Sequence, residues 1–223
     1  MMIRRRSLLA VLAALGVGLT IGIAKPVAAA GSAAHAHMGH VMEAWKDTPE
    51  GKGLLPTAFG EADVAQKHVG LALKTPDDLA SLQVHLRHVL HALDPAMEKS
   101  GPGLGYGLIN AAEGASKHAG FAGGSGDASD NVKVHSEHVT TALNNAVAAA
   151  KAAEAEVEKG LAASSAADAK AAAEAVQALL VQVVDGKDAN GDGSVSWQEG
   201  GLQQARQHMG FMYKGEGMEM PAE

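Results

Sequence analysis

Apolar positions recur three and four residues apart in long runs, broken by glycine- and proline-bearing stretches. No segment alternates with period two for long enough to form a sheet. The pattern predicts a short helix over residues 37–45, ended by the Asp47-Thr48-Pro49 turn. Residues 50–59 carry two glycines and a proline and read as a loop, with a helix following over 60–73. Thr75-Pro76-Asp77-Asp78 combines a cap, a proline at the first helical position and acids against the helix dipole. It predicts a helix running to Leu93, where Asp94-Pro95 stops it. Gly101-Pro102-Gly103 opens a join to a helix over 104–122, and residues 123–130 read as a second loop. Ser129 or Asp130 caps an alanine-rich helix to Lys159, which Gly160 is expected to break. A last long helix is predicted over 168–184, and the tail after Tyr213 reads as disordered. The class is all-α: an up-down helical bundle.

The first thirty residues stand apart from this pattern. Arg4, Arg5 and Arg6 precede an uncharged apolar run over 7–24, and Ala28, Ala29 and Ala30 follow. Positive, apolar, small is the order of a secretory signal peptide at 1–30, which places the mature chain in the periplasm or outside the cell. Arg5-Arg6-Ser7-Leu8-Leu9 is compatible with either the general or the twin-arginine route. Cleavage after Ala30 leaves 193 of the 223 residues. Loss of Arg4, Arg5, Arg6 and Lys25 moves the formal charge from −7 to −11. So acidic a chain has no footprint for nucleic acid or, after cleavage, for a membrane surface; it favours cations. The 3% aromatic content leaves Ala, Val and Leu to build the core, which suits closely approaching helices. The absence of cysteine excludes disulfides, thiolate chemistry, lipoprotein anchoring and covalent c-type haem.

The acidic stretch after the last long helix carries the sharpest motif. Asp188-Ala189-Asn190-Gly191-Asp192-Gly193-Ser194-Val195-Ser196-Trp197-Gln198-Glu199 has oxygen donors at the spacing a hard cation needs. Calcium takes six to eight oxygens at about 2.3–2.6 Å. Asp188, Asn190 and Asp192 offer side-chain oxygens around one turn, and Gly193 allows the bend. Ser194 offers its carbonyl, Ser196 a direct or water-mediated contact, and Glu199 both carboxylate oxygens. Residues 176–210 resemble the EF-hand family, which implies calcium as ligand and a helix–loop–helix frame. Gly200-Gly201 departs from the family's continuous exiting helix, so that helix is expected to start late. EF-hands usually pair. A lone loop must pair across a homodimer, be propped by the bundle, or bind weakly, and calcium as a structural staple is the expectation.

Eleven histidines without one cysteine form the second anomaly. Helical projection at about 100° per residue puts His68 on the face of Val64, Leu71 and Ala72, and His135 at the edge of the Val132, Val139, Leu143 stripe. His118 flanks Leu108, Ala111 and Ala115; His85 flanks Leu82, Leu86 and Val89; His88 and His91 rotate away, with His91 expected to face solvent. Each of four helices thus turns a histidine toward the interior, as bundles do when they build internal metal sites. The pairs His85/His88 and His135/His138, three apart, can each present two nitrogens to one ion. Neutral imidazole suits copper, zinc, nickel or iron. His68, His85, His118, His135 and His138 are the candidate transition-metal ligands. His35, His37 and His40, with Met38 and Met42, form a separate N-terminal cluster of copper-compatible donors. The N-terminal part is loosely similar to small histidine-rich helical periplasmic copper-binding proteins.

Nucleophile elbows, phosphate-binding loops, dinucleotide fingerprints and His-Glu-x-x-His are all missing, so no enzyme is expected. The expected organisation is a signal peptide at 1–30, a histidine-bearing bundle at 31–160, an EF-hand helix–loop–helix at 166–212 and a tail at 213–223. The leading expectation is an exported protein with one structural calcium. The alternative is a periplasmic copper-type binding or buffering protein using the bundle and N-terminal histidines.

Overall fold

A computed structural model describes residues 31–222; the expected signal peptide falls outside the described residues. Among those described the chain is all-helical, without a strand. In order, the helices are α1 (Ala33–Met42), α2 (Leu54–Ala72), α3 (Leu79–Leu93), α4 (Leu108–Gly124), α5 (Asp130–Ala162), α6 (Ala166–Asp185) and α7 (Leu202–Gly215), with a 3-10 turn at Pro49–Gly51.

The 33-residue α5 is the spine and touches α3, α4, α6 and α7. At 1.5 Å per residue it is about 50 Å long. Its apolar stripe of Val132, Val139, Leu143, Ala146, Ala150 and Val157 is fully buried. Ser129 caps it, accepting from the Val132 amide. Contacts at 123–136, 116–144 and 113–151 run α4 antiparallel to α5. The closest approach depends on Gly123, where a Cβ would fall 1.9 Å from the Ser136 hydroxyl. Contacts at 145–200, 135–208 and 131–212 run α7 antiparallel to α5 as well.

Gly160, expected to break α5, lies inside it. Its missing side chain admits Leu86 of α3, whose Cδ1 would stand 2.5 Å from a Cβ there. The helix therefore tolerates the glycine for packing rather than ending at it. It ends two residues later, and Ser165 caps α6 by accepting from the Asp168 amide. The division expected near residues 160–165 falls at this turn. Both sides belong to one compact unit over Gly31–Glu223.

The first helix lies at Ala33–Met42 instead of 37–45, and α3 starts at Leu79 instead of Pro76. Two further boundaries moved for reasons of tertiary contact. α2 begins at Leu54 instead of residue 60, because Pro56 falls in the first turn, where no amide is needed, and Leu54 and Leu55 are buried. α4 begins at Leu108 instead of 104 because the fully buried Glu61 claims the backbone ahead of it. Its carboxylate accepts from the amides of Leu104, Tyr106 and Gly107 at 3.1, 2.9 and 3.0 Å. The C-terminal segment is also tied down. Tyr213 is fully buried with its hydroxyl donating to Glu43, the Met218 amide donates to the Tyr213 carbonyl, and Met218 and Met220 pack against the core. No described helix is long and apolar enough to cross a membrane.

Candidate metal centres

Nine of the eleven histidines converge into three triads: His37–His40–His118, His68–His85–His88 and His135–His138–His208. Within each, one ligand atom per residue lies within 4.8 Å of the others. Each triad pairs two histidines three apart on one helix with a single histidine from an antiparallel neighbour. Residues three apart share a helix face, so the pair presents two rings side by side and the facing helix supplies the third.

The same ring nitrogen, Nδ1, points inward throughout. In the first triad, His118 Nδ1 lies 3.0 Å from His37 Nδ1 and 3.4 Å from His40 Nδ1. In the second, His68 Nδ1 lies 3.2 Å from both His85 and His88 Nδ1. In the third, His208 Nδ1 lies 3.0 Å from His135 Nδ1 and 3.3 Å from His138 Nδ1. Three nitrogens arranged tetrahedrally at 2.0–2.1 Å from one ion stand about 3.3–3.4 Å apart. The two separations to the single histidine in each triad, 3.0–3.4 Å, lie close to that requirement and the remaining one lies within 4.8 Å, so each triad is able to hold a transition-metal ion.

Protonation also suits ligation. Burial, reinforced by the neighbouring imidazoles, lowers the His118 and His208 pKa values to about 4. His40, His68, His85 and His135 are lowered by the same causes. These six rings are neutral at pH 7, with a lone pair available.

The surroundings distinguish the triads. Trp45 lies 4.9 and 4.5 Å from the His40 and His118 rings, and Phe121 lies 5.3 Å from His37. In the third, Trp197 stacks on His138 at 4.1 Å and 23°, and Phe211 lies 5.3 and 5.4 Å from His135 and His208. Both tryptophans of the chain therefore wall a triad. In the second triad, the described ring contacts are between histidines alone, and Leu71 holds the place in sequence that Phe121 and Phe211 take beside their histidines.

The structure thus places His85 with His88, and His135 with His138, on shared centres, with His68 completing the first pair. It separates His118 from them and joins it to the N-terminal His37 and His40. His208, which the helical projections passed over, completes the third centre. His91, expected to face solvent, is buried with Nδ1 2.7 Å from the Glu98 carbonyl. The α3 helix ends against the 94–101 turn, and that turn covers the ring. His35 pairs with Glu216 at 2.9 Å and stays outside the first triad.

A recurrence in the sequence marks the same nine positions. His37-x-x-His40-Val41, His85-x-x-His88-Val89 and His135-x-x-His138-Val139 repeat one motif, and each valine is fully buried. The partners follow a second: His68-Val69-Gly70-Leu71, His118-Ala119-Gly120-Phe121 and His208-Met209-Gly210-Phe211. Pair and single alternate three times along the chain. In space the first pair takes the second single and the second pair takes the first, a nested exchange among α1–α4.

The acidic loop over 188–199 links α6 to α7 as a helix–loop–helix, and the exiting helix starts late, at Leu202. Gly191 and Gly193 adopt positive φ, at 76° and 86°. Glu199 accepts from the amides of Ala189, Asn190 and Ser196. Asp188 accepts from Gly191, Asp192 and Gly193. Asn190 Oδ1 accepts from the Asp192 amide, and Asp192 from Ser194. The loop's carboxylates are not among the described groups in which three ligand atoms converge. The bundle props the loop: Asn145 of α5 donates to the Gln198 and Gly200 carbonyls, and Gln204 of α7 to the Val195 carbonyl.

No family model, curated protein or solved structure matches this chain.

Proposed function

We propose that this protein is an exported transition-metal-binding protein that holds up to three ions of the copper class, one per histidine triad. The observation that supports this reading is the threefold convergence of Nδ1 atoms at 3.0–3.4 Å. Such convergence is poorly explained as packing, because three neutral imidazoles cannot satisfy one another's lone pairs as one cation does. Repetition of one site three times suits storage or buffering.

Charge favours copper(I). The converging ligand atoms are all imidazole nitrogens, with no carboxylate among them, so the ion's charge is not cancelled by its ligands. Removing an ion from water costs roughly as the square of its charge, which favours a monovalent ion in a half-buried, neutral site. Zinc also accepts imidazole and three nitrogens, with water completing its tetrahedron. X-ray absorption on the copper(I)-loaded protein tests the reading. It should show a first shell of about three nitrogens near 2.0 Å. A shell dominated by oxygen, or no uptake, would overturn it.

A second ion, calcium, is supported by the twelve-residue pattern at 188–199 and its positive-φ glycines. Hydrogen bonds, first from the Ser196 amide for Glu199 and from the Ser194 hydroxyl for Asp192, hold these carboxyls below their usual pKa. Both are therefore ionised and ready for a cation at neutral pH. Calcium here would brace the α6–α7 connection. Calorimetric titration of the metal-free protein should show one calcium per chain, lost in Glu199→Gln; no heat of binding in the unaltered chain would remove calcium from the account.

A further inference from the structure

The acidic loop and the third triad share a wall. Trp197 lies within the loop, between the candidate calcium ligands Ser196 and Glu199, and its indole stacks on His138 at 4.1 Å. Two side chains bind the loop to the helices that carry the triad. Asn145, two turns beyond His138 on α5, holds the Gln198 and Gly200 carbonyls at 2.8 and 3.3 Å. Gln204, one turn before His208 on α7, holds the Val195 carbonyl at 2.9 Å. Residues four and seven apart lie on one helix face, so both tethers act on the side that presents the ligands. The start of α7 is pressed against the last turn of α6: a Cβ at Gly201 would meet the Val183 carbonyl at 2.3 Å. Among the described residues, neither of the other triads has a connection of this kind. Trp45, the corresponding wall of the first triad, is held by backbone bonds to residues 51 and 52 in a turn without an acidic ligand set.

We propose that the 188–199 loop is a calcium-responsive regulator of the third triad: calcium bound in the loop tightens transition-metal binding at His135–His138–His208 and leaves the other two triads unchanged. The inference rests on the reading of the triads as metal sites and of the loop as a calcium site. To take calcium, Glu199 and Asp188 must give up backbone amides that they now accept, and the segment that rearranges contains Trp197. Calcium fixes this segment, and with it the ring against His138 and the first turn of α7. An ion arriving at the triad then has less of the segment to order, which is positive coupling. Linkage makes the effect reciprocal, so a filled third triad raises calcium affinity by the same factor.

The test uses the full mature chain in two backgrounds. His68→Ala with His118→Ala leaves only the third triad; His118→Ala with His208→Ala leaves only the second. Each is titrated with zinc, in saturating calcium and in calcium-free buffer, after circular dichroism has verified the helical fold. Calcium should raise zinc affinity about tenfold, within the usual range of coupling, for the third triad alone. Glu199→Gln should abolish the increase, and Trp197→Ala should reduce it while calorimetry still reports bound calcium. Bound calcium with unchanged zinc affinity overturns the coupling and leaves both site readings intact. An equal increase at the second triad overturns it in favour of general stabilisation. Absence of calcium binding removes the loop reading and the coupling with it, whereas absence of zinc uptake at the third triad overturns the coupling and leaves the copper(I) reading to its own test.

Discussion

Two sets of candidate ligands in this protein solve opposite problems. The triads draw imidazole nitrogens from antiparallel helices, half-buried and close to ligand spacing. The acidic loop gathers charged oxygens on an exposed connection, and those oxygens are engaged by the loop's own amides. A site of the first kind gains affinity because little must be ordered when the ion arrives. A site of the second kind must exchange one set of partners for another, which suits a bound or released brace. Burial decides what a carboxylate does in the same fold. Glu61 and Glu199 each accept from three backbone amides, but Glu61 is fully enclosed and fixes the chain permanently.

That contrast predicts its largest effect at Glu61. Glu61→Ala leaves three amides without their acceptor and should cost about 4 kcal/mol, since buried groups robbed of a charged partner lose roughly 1–3 kcal/mol each and partly recover with water. Urea unfolding measures it; a loss below about 1 kcal/mol would mean the 101–107 segment finds other partners. Next come the triads. His118→Ala, His68→Ala and His208→Ala should each weaken one site by about a hundredfold or more, since loss of an outer-shell partner alone costs 10–100-fold. Competition with a chromophoric chelator reads the change, and equal binding in all three variants would break the assignment.

A third prediction concerns pH. His118 and His208 have folded pKa values of about 4, below the ordinary 6.5. The unfolded chain therefore binds more protons between these values, and stability falls as pH drops from about 6.5 toward 4. Denaturant midpoints of the metal-free protein should decline across that window, and less in His118→Ala with His208→Ala. A flat profile would contradict neutral, buried rings. At the exposed end, Glu199→Gln should lower the thermal midpoint in calcium and leave it unchanged in chelator; a drop in both media would make Glu199 a structural residue like Glu61. The smallest signal is optical. The two tryptophans wall the first and third triads, so copper should quench both, and Trp45→Phe and Trp197→Phe should isolate each centre. Quenching that survives removal of His118 in the Trp197→Phe protein would detach Trp45 from its site.

The difference between the regions also explains what the sequence made legible. The loop's donors are contiguous, so spacing alone displays them. The cap at Ser129 is local for the same reason; at α3 the start read at Thr75-Pro76 falls instead behind Asp78, which accepts from the Ser81 amide. The His85/His88 and His135/His138 pairs were visible as three-apart neighbours on one face. Their completion was not, because the third ligand arrives from 17 to 73 residues away through helix packing. His118 pointed inward as projected, but the ring it meets belongs to an N-terminal helix read as a separate cluster. The recurrence of His-x-x-His-Val and His-x-Gly was the available signal, and it shows only when the three copies are aligned with each other. Boundaries failed where a distant side chain intervened: Glu61 holding residues 104–107 out of α4, and Leu86 occupying the space at Gly160.

Counting ions tests the central claim most directly. Native mass spectrometry of the protein loaded with copper(I) should show three ions. His118→Ala should leave two, His118→Ala with His68→Ala one, and the further change His208→Ala none. A chain that takes up no copper, or whose count is indifferent to these substitutions, would contradict the account.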